Sequence, residues 1–140
     1  MNQLETGLYT KLTGASSLTS LLAAGTASVF HRHADENANP PYVVFSKQSR
    51  VPARVVGGGA VAWEDALYLV KAVVESPSAL LAGSIATRID ETLDQASLTV
   101  TGHSHLACHR DSDVDYEEQG PGGQIIQHRG ALYRIQLQPT

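Results

Sequence analysis

Cysteine is almost missing from this chain: Cys108 is the only one. That excludes an internal disulfide and any cysteine-rich zinc cluster. A strong excess of one charge is missing too. Ten basic residues against 14 acidic ones leave a formal net charge of −4, which argues against a polyanion-binding role driven by basic excess. No apolar run approaches the ~18–20 residues that a membrane span needs. The start, Met1-Asn2-Gln3-Leu4-Glu5, has no basic segment leading into an apolar stretch, so no secretory signal is expected. What is present is ordinary for a globular chain: 140 residues, 42% hydrophobic and 17% charged. We expect residues 1–140 to form one domain with a buried core.

Leu4, Leu8 and Leu12 recur every four residues and predict a helix with one apolar side, stopped at Gly14. Leu18, Leu21 and Leu22 predict a short helix or helical turn ending at Ala23-Ala24-Gly25. Val29-Phe30-His31 suits a short strand. The polar stretch 34–41 closes on Pro40-Pro41 and reads as a loop feeding the strand Tyr42-Val43-Val44-Phe45-Ser46. Residues 47–60 lose all apolar periodicity. They hold Lys47, Arg50, Arg54 and the triplet Gly57-Gly58-Gly59, and predict an exposed, mobile loop.

A strand follows over 62–75 with apolar residues on both faces: Tyr68, Val70, Ala72 and Val74 on one, Leu67, Leu69 and Val73 on the other. Ser76-Pro77 signals a helix start. The helix behind it, 79–93, carries Leu81, Ile85, Ile89 and Leu93 as a stripe, with Arg88, Glu91 and Asp94 toward solvent. The remainder reads as strands: Leu98-Thr99-Val100, broken at Gly102; then 106–118, with Leu106, Cys108, Val114 and Tyr116 as inward candidates. After the turn Gly120-Pro121-Gly122-Gly123 comes a last strand, with Ala131, Tyr133, Ile135 and Leu137 alternating against Leu132, Arg134 and Gln136. The order predicts an α+β fold: a mainly antiparallel sheet with helices on one face.

The chemistry-bearing residues form no motif. His31-x-His33 and His103-x-His105 each place two imidazoles on one side of an extended segment, and Cys108, His109 and His128 follow. A zinc site needs three or four such ligands converging, and no spacing here enforces that; surface or loop histidines are the simpler reading. Cys108 and His109 point to opposite faces of a strand and cannot act as nucleophile and base. Asp111, Asp113, Asp115 and Glu117 are expected on one strand face, a solvated or interaction surface. They do not make a calcium loop, since its sixth and twelfth positions would be Tyr116 and Gly122. The glycine triplet lacks the trailing Lys-Ser/Thr of a phosphate-binding loop. Lys47, Arg50 and Arg54 are the one concentration of positive charge; they suit nucleic acid or a protein's acidic face, and solubility alone accounts for them. No catalytic, cofactor or metal residue is assigned.

The ordering of segments, rather than any site, carries a resemblance. A leucine-bearing first helix leads to a polar loop ending in Pro40-Pro41-Tyr42-Val43-Val44-Phe45, then to a strand closing on Glu75-Ser76-Pro77. The helix 79–93, the acidic Asp113-Val114-Asp115-Tyr116-Glu117 and the closing Ala131-Leu132-Tyr133-Arg134-Ile135 complete the pattern. This resembles the tail-completion (tail terminator, head-to-tail joining) proteins of long-tailed bacteriophages, over about residues 4–137. The resemblance implies a structural virion protein of the tail and head–tail interface, made in the host cytoplasm and not an enzyme. It implies helices packed on a sheet and a hexameric ring that caps the tail tube. The implied partners are the tail tube protein and the head or neck connector proteins, with DNA passing through the channel without specific binding. The glycine triplet and the long acidic strand depart from that pattern. Two other readings stay open: a small histidine-based metal-binding module or enzyme, and another phage neck or adaptor subunit.

Overall fold

Five strands form one sheet in the order β1-β2-β3-β5-β4, with β1 at Val29–His31, β2 at Tyr42–Arg54, β3 at Val61–Glu75, β4 at His103–Gln119 and β5 at Ile125–Pro139. The computed structural model describes residues 2–140, without the side chains of Asn2 and Leu106; the inward placement expected of Leu106 therefore falls outside the described residues. β1 runs parallel to β2, and all other neighbours are antiparallel. The architecture is thus the mixed α+β expected. Two long hairpins, β2–β3 and β4–β5, lie side by side and join where β3 pairs with β5, from Glu64↔Leu137 to Glu75↔Ile126.

Helices α1 (Asn2–Thr13), α2 (Ser16–Thr19) and α3 (Leu80–Leu93) gather on one face of this sheet. The core is the layer between them. Leu4, Leu8 and Leu12 of α1, Leu18 of α2, and Ala82, Ile85, Ile89 and Leu93 of α3 meet Val43, Phe45, Tyr68, Val70, Tyr133, Ile135 and Leu137 of the strands. Each such aliphatic side chain contributes about 1.5–3 kcal/mol when withdrawn from water. Tyr68 and Tyr133 bring hydroxyls into this layer and satisfy them: Tyr68 donates to Glu5 at 3.4 Å and Tyr133 to Asp90 at 3.0 Å. Alternation along β5 is as the sequence predicts, with Ala131, Tyr133, Ile135 and Leu137 inward.

Several elements differ from expectation. Strand β2 continues through 47–54, where a loop is expected, because β3 supplies a hydrogen-bonding partner from Lys47↔Tyr68 to Arg54↔Val61. Only 55–60 remains as the hairpin turn, closed by a bond from the Val55 amide to the Ala60 carbonyl. Helix α3 begins at Leu80, not at Ser76-Pro77. Ser76 and Ser78 instead accept the amides of Ser78 and Leu80 in the turns before it. Its buried stripe is therefore Ala82, Ile85, Ile89 and Leu93, while Leu81 is exposed. Residues 98–100 are not a strand, although Leu98 and Val100 are buried against the core. Val114 and Tyr116 are not inward: bulges at 106 and 111 put them opposite Gly130 and His128, on the side away from the helices.

Candidate functional site

The sheet face without helices is the first feature that asks for a partner. Pairing places Tyr42, Val44 and Ser46 of β2 beside Val73, Lys71 and Leu69 of β3, and these beside His128, Gly130 and Leu132 of β5. Val44 and Val73 are buried yet stand outside the helix-covered core; Leu67, Leu69 and Leu132 are half-buried. The sequence pattern of 62–75, apolar on both faces, shows this. Gly130 lets the strands approach here: a Cβ at that position would run into the Val70 carbonyl oxygen and Lys71. Toward one end of this face Tyr116 stacks on His128, centroids 4.5 Å apart, and its hydroxyl meets Lys71 Nζ at 2.7 Å.

The second feature is the separation of charge between the two ends of the sheet. Residues 111–119 of β4 contain five carboxylates and no cation; residues 46–54 of β2 contain three cations and no carboxylate. The four acidic residues expected on one face do not all share it. Asp111 occupies the bulge after Arg110 and meets Arg134 at 3.4 Å, on the side away from the helices. Asp113, Asp115 and Glu117 pair opposite Ala131, Arg129 and Gln127 on the helix side. There Asp113 faces Arg110 at 3.5 Å and Asp115 faces Arg129 at 3.5 Å. Sequence patterning marks Arg134 by its alternating position on β5, but it does not mark Arg110 or Arg129. Between α3 and β4–β5 lies an open groove of about 680 Å³, lined by Gly83, Asp90, Arg110 and Asp115 among others. At the basic end, Arg50 donates to Glu64 and Arg54 donates to the Gly59 carbonyl at 2.6 Å, tying down the hairpin turn. Val51, Val55, Val56 and Trp63 are exposed on this hairpin.

The histidines disperse through the fold. His31 stacks on Phe45 with centroids 5.0 Å apart, and His103 Nε2 lies 3.8 Å from Glu64. His105 Nδ1 accepts the Leu98 amide at 3.4 Å, leaving its buried Nε2 unpaired among the described residues. His128 departs from the surface reading: it is buried and bonds Glu118 through Nε2. Burial lowers the pKa of both His105 and His128, and for His128 the Glu118 bond opposes that shift only in part. No group of three or more His, Cys, Asp or Glu able to hold a metal ion occurs among the described residues. Cys108 is buried, and its thiol is pushed up to about 12 by desolvation and then by Asp94, so it stays protonated near neutral pH.

Comparison with known proteins adds three findings. Residues 6–137 match the family described as "Tail completion protein gp17". No curated protein matches the sequence. Among solved structures, a chain from the "Virion of native gene transfer agent (GTA) particle" superposes with TM-score 0.72 at 13% identity, covering 96% of this chain and 94% of the other. A second, carrying no functional description, gives TM-score 0.61 at 13% identity over 99% and 97% of the two chains. At that identity both likenesses concern the fold.

Proposed function

The chain belongs to the tail completion protein gp17 family, and from that membership we propose that it closes the end of a phage tail tube as a ring and offers the joining surface for the head. Family membership makes it a structural protein of the virion tail. The ring, its six subunits and its neck-side partners are our reading, as is the treatment of 1–140 as one unit. The reading assigns no catalytic residue. Cys108 is buried and protonated, and the histidines are spread over both faces and both ends of the sheet.

The observation that carries the proposal is the bare sheet face. Leu67, Leu69 and Leu132 are half-buried there, next to the buried Val44 and Val73, and Val44 and Val73 stand outside the helix-covered core. Half-exposed leucines side by side on a sheet face that carries no helix suit contact with a protein partner. The acidic residues Asp113, Asp115 and Glu117 are on the opposite side of the sheet, so they and the bare face cannot both line a channel. In the ring, the bare face is the one that meets the tube or neck proteins.

Leu69→Asp tests this. Leu69 is half-buried on the bare face, beside Ser46 and Leu132. The variant should keep the wild-type circular dichroism spectrum and lose the ability to complete tails, seen as unjoined tails by electron microscopy in a complementation experiment. A folded Leu69→Asp chain that still completes tails would place the functional surface elsewhere.

A further inference from the structure

We propose that copies of this chain join through their sheet edges, the acidic edge of β4 at 111–119 pairing antiparallel with the basic edge of β2 at 46–54 in the next copy. The inference rests on the ring reading above and identifies the contact that would build it. Both edges are open. β4 is the last strand on one side of the sheet. Its outer edge is covered only near Cys108 and Arg110, where the Gln95 amide and the Asp94 carboxylate bond to it; from 111 to 119 its outer backbone has no partner among the described residues. On the other side, β1 covers β2 only at Val43, Val44 and Phe45, and the Arg32 amide extends that cover to the Phe45 carbonyl. From 46 to 54 the outer edge of β2 has no backbone partner among the described residues. Each open length is nine residues, ~30 Å of strand.

Charge selects which edges can meet. Two β4 edges would set carboxylates against carboxylates, and two β2 edges cations against cations, both destabilising across strands. Only the mixed contact is complementary. It is complementary on the correct face as well. Lys47 and Arg50 pair opposite Tyr68 and Ala66, hence on the helix side, as are Asp113, Asp115 and Glu117. A sheet continued from one copy to the next brings these opposite charges onto one surface. Charged residues, bulges and proline on exposed edges deter indiscriminate pairing, and all three occur here, at Lys47, at the irregularities in β2 and β4, and at Pro52. Pro52 lacks an amide hydrogen and removes one bond from the contact.

The contact joins different surfaces of each copy, so it repeats head to tail and closes when its rotation divides the circle. The open lengths lie at opposite ends of the sheet. Asp115, at the middle of one, stands level with Val43 through Arg129 and Ala72, whereas Arg50 is the middle of the other. Each copy is therefore shifted along the strands by about seven residues, ~23 Å. A closed ring with that stagger has strands tilted from its axis, as closed sheets do.

Cysteine pairs read the contact directly. Lys47→Cys would be combined in turn with Asp113→Cys, Asp115→Cys and Glu117→Cys; buried Cys108 gives no background. Oxidation of the assembled protein, in solution and on tail ends, should give a ladder of covalent oligomers for at least one pair and none for the single variants. Separately, Lys47→Glu should weaken association, and adding Asp113→Lys and Asp115→Lys to the same chain should restore it, with circular dichroism confirming folded subunits throughout. If wild-type protein forms rings, no pair cross-links and Lys47→Glu leaves assembly unchanged, the edge contact is wrong and the ring stands. If wild-type protein never associates, alone or on tails, the ring reading falls and this contact with it.

Discussion

Gly130 shows how much a single absent methyl group decides. It stands in β5 opposite Lys71 of β3 and Val114 of β4, and a Cβ there meets the Val70 carbonyl and the Lys71 backbone. Backbone atoms within a central ladder cannot step aside, so Gly130→Ala should destabilise the chain by about 1–3 kcal/mol, the usual range for overpacking, read from urea denaturation midpoints. Two histidines set a pH dependence. Burial holds His105 and His128 below the ordinary value of 6.5, so the fold keeps them neutral while the unfolded chain takes up their protons. Their contribution is intact above pH 6.5 and is lost as pH falls through their folded values. Stability should drop as pH falls below about 6.5, and His105→Asn with His128→Asn should flatten that drop; an unchanged slope would show that other groups carry it. The burial of His128 was not legible from sequence, because it comes from Tyr116 and the neighbouring strands rather than from its own sequence neighbours.

The β2–β3 hairpin explains what periodicity reads and what it misses. Residues 42–46 announce themselves as strand because they pack apolar side chains; residues 47–54 are equally extended but mostly exposed, and only backbone pairing to β3 fixes them. Apolar patterning cannot report a strand held on one edge over water. In amide exchange, the turn at 56–59 should exchange fastest within the hairpin, 47–54 should be intermediate, and the β3 amides at 66–72, flanked by strands on both sides, should be slowest. Strong protection at 57–59 in the free subunit would contradict this. Helix α3 was legible for the opposite reason: Ile85, Ile89 and Leu93 recur at helical spacing and are fully buried. Its bounds were legible as well, 79–93 against Leu80–Leu93; the helix-start role of Ser76-Pro77 was not, since Ser76 and Ser78 use their hydroxyls in successive local turns before the helix begins.

At the scale of the whole molecule, the layer order and the bare face were legible because β3 is apolar on both sides. The separation of charge between two open edges was not, since it requires knowing that β4 returns to lie beyond β5. That same topology dictates how the chain must assemble itself in time. Each hairpin is a local event, on the microsecond scale for isolated hairpins, yet neither buries its core alone. The seam between them pairs Glu64 with Leu137 and Glu75 with Ile126, so it forms only after α3 and the whole of β4 have been looped out. Closing so large a loop before any reward arrives places refolding among the millisecond-to-second sheet proteins. Ala131→Gly, in that seam, should therefore slow refolding in stopped-flow measurements, whereas an equally destabilising change at Val29 in β1 should act mainly by hastening unfolding. A subunit that meets its neighbours edge to edge must keep those edges from pairing during this interval, when both hairpins are formed and the seam between them is still open.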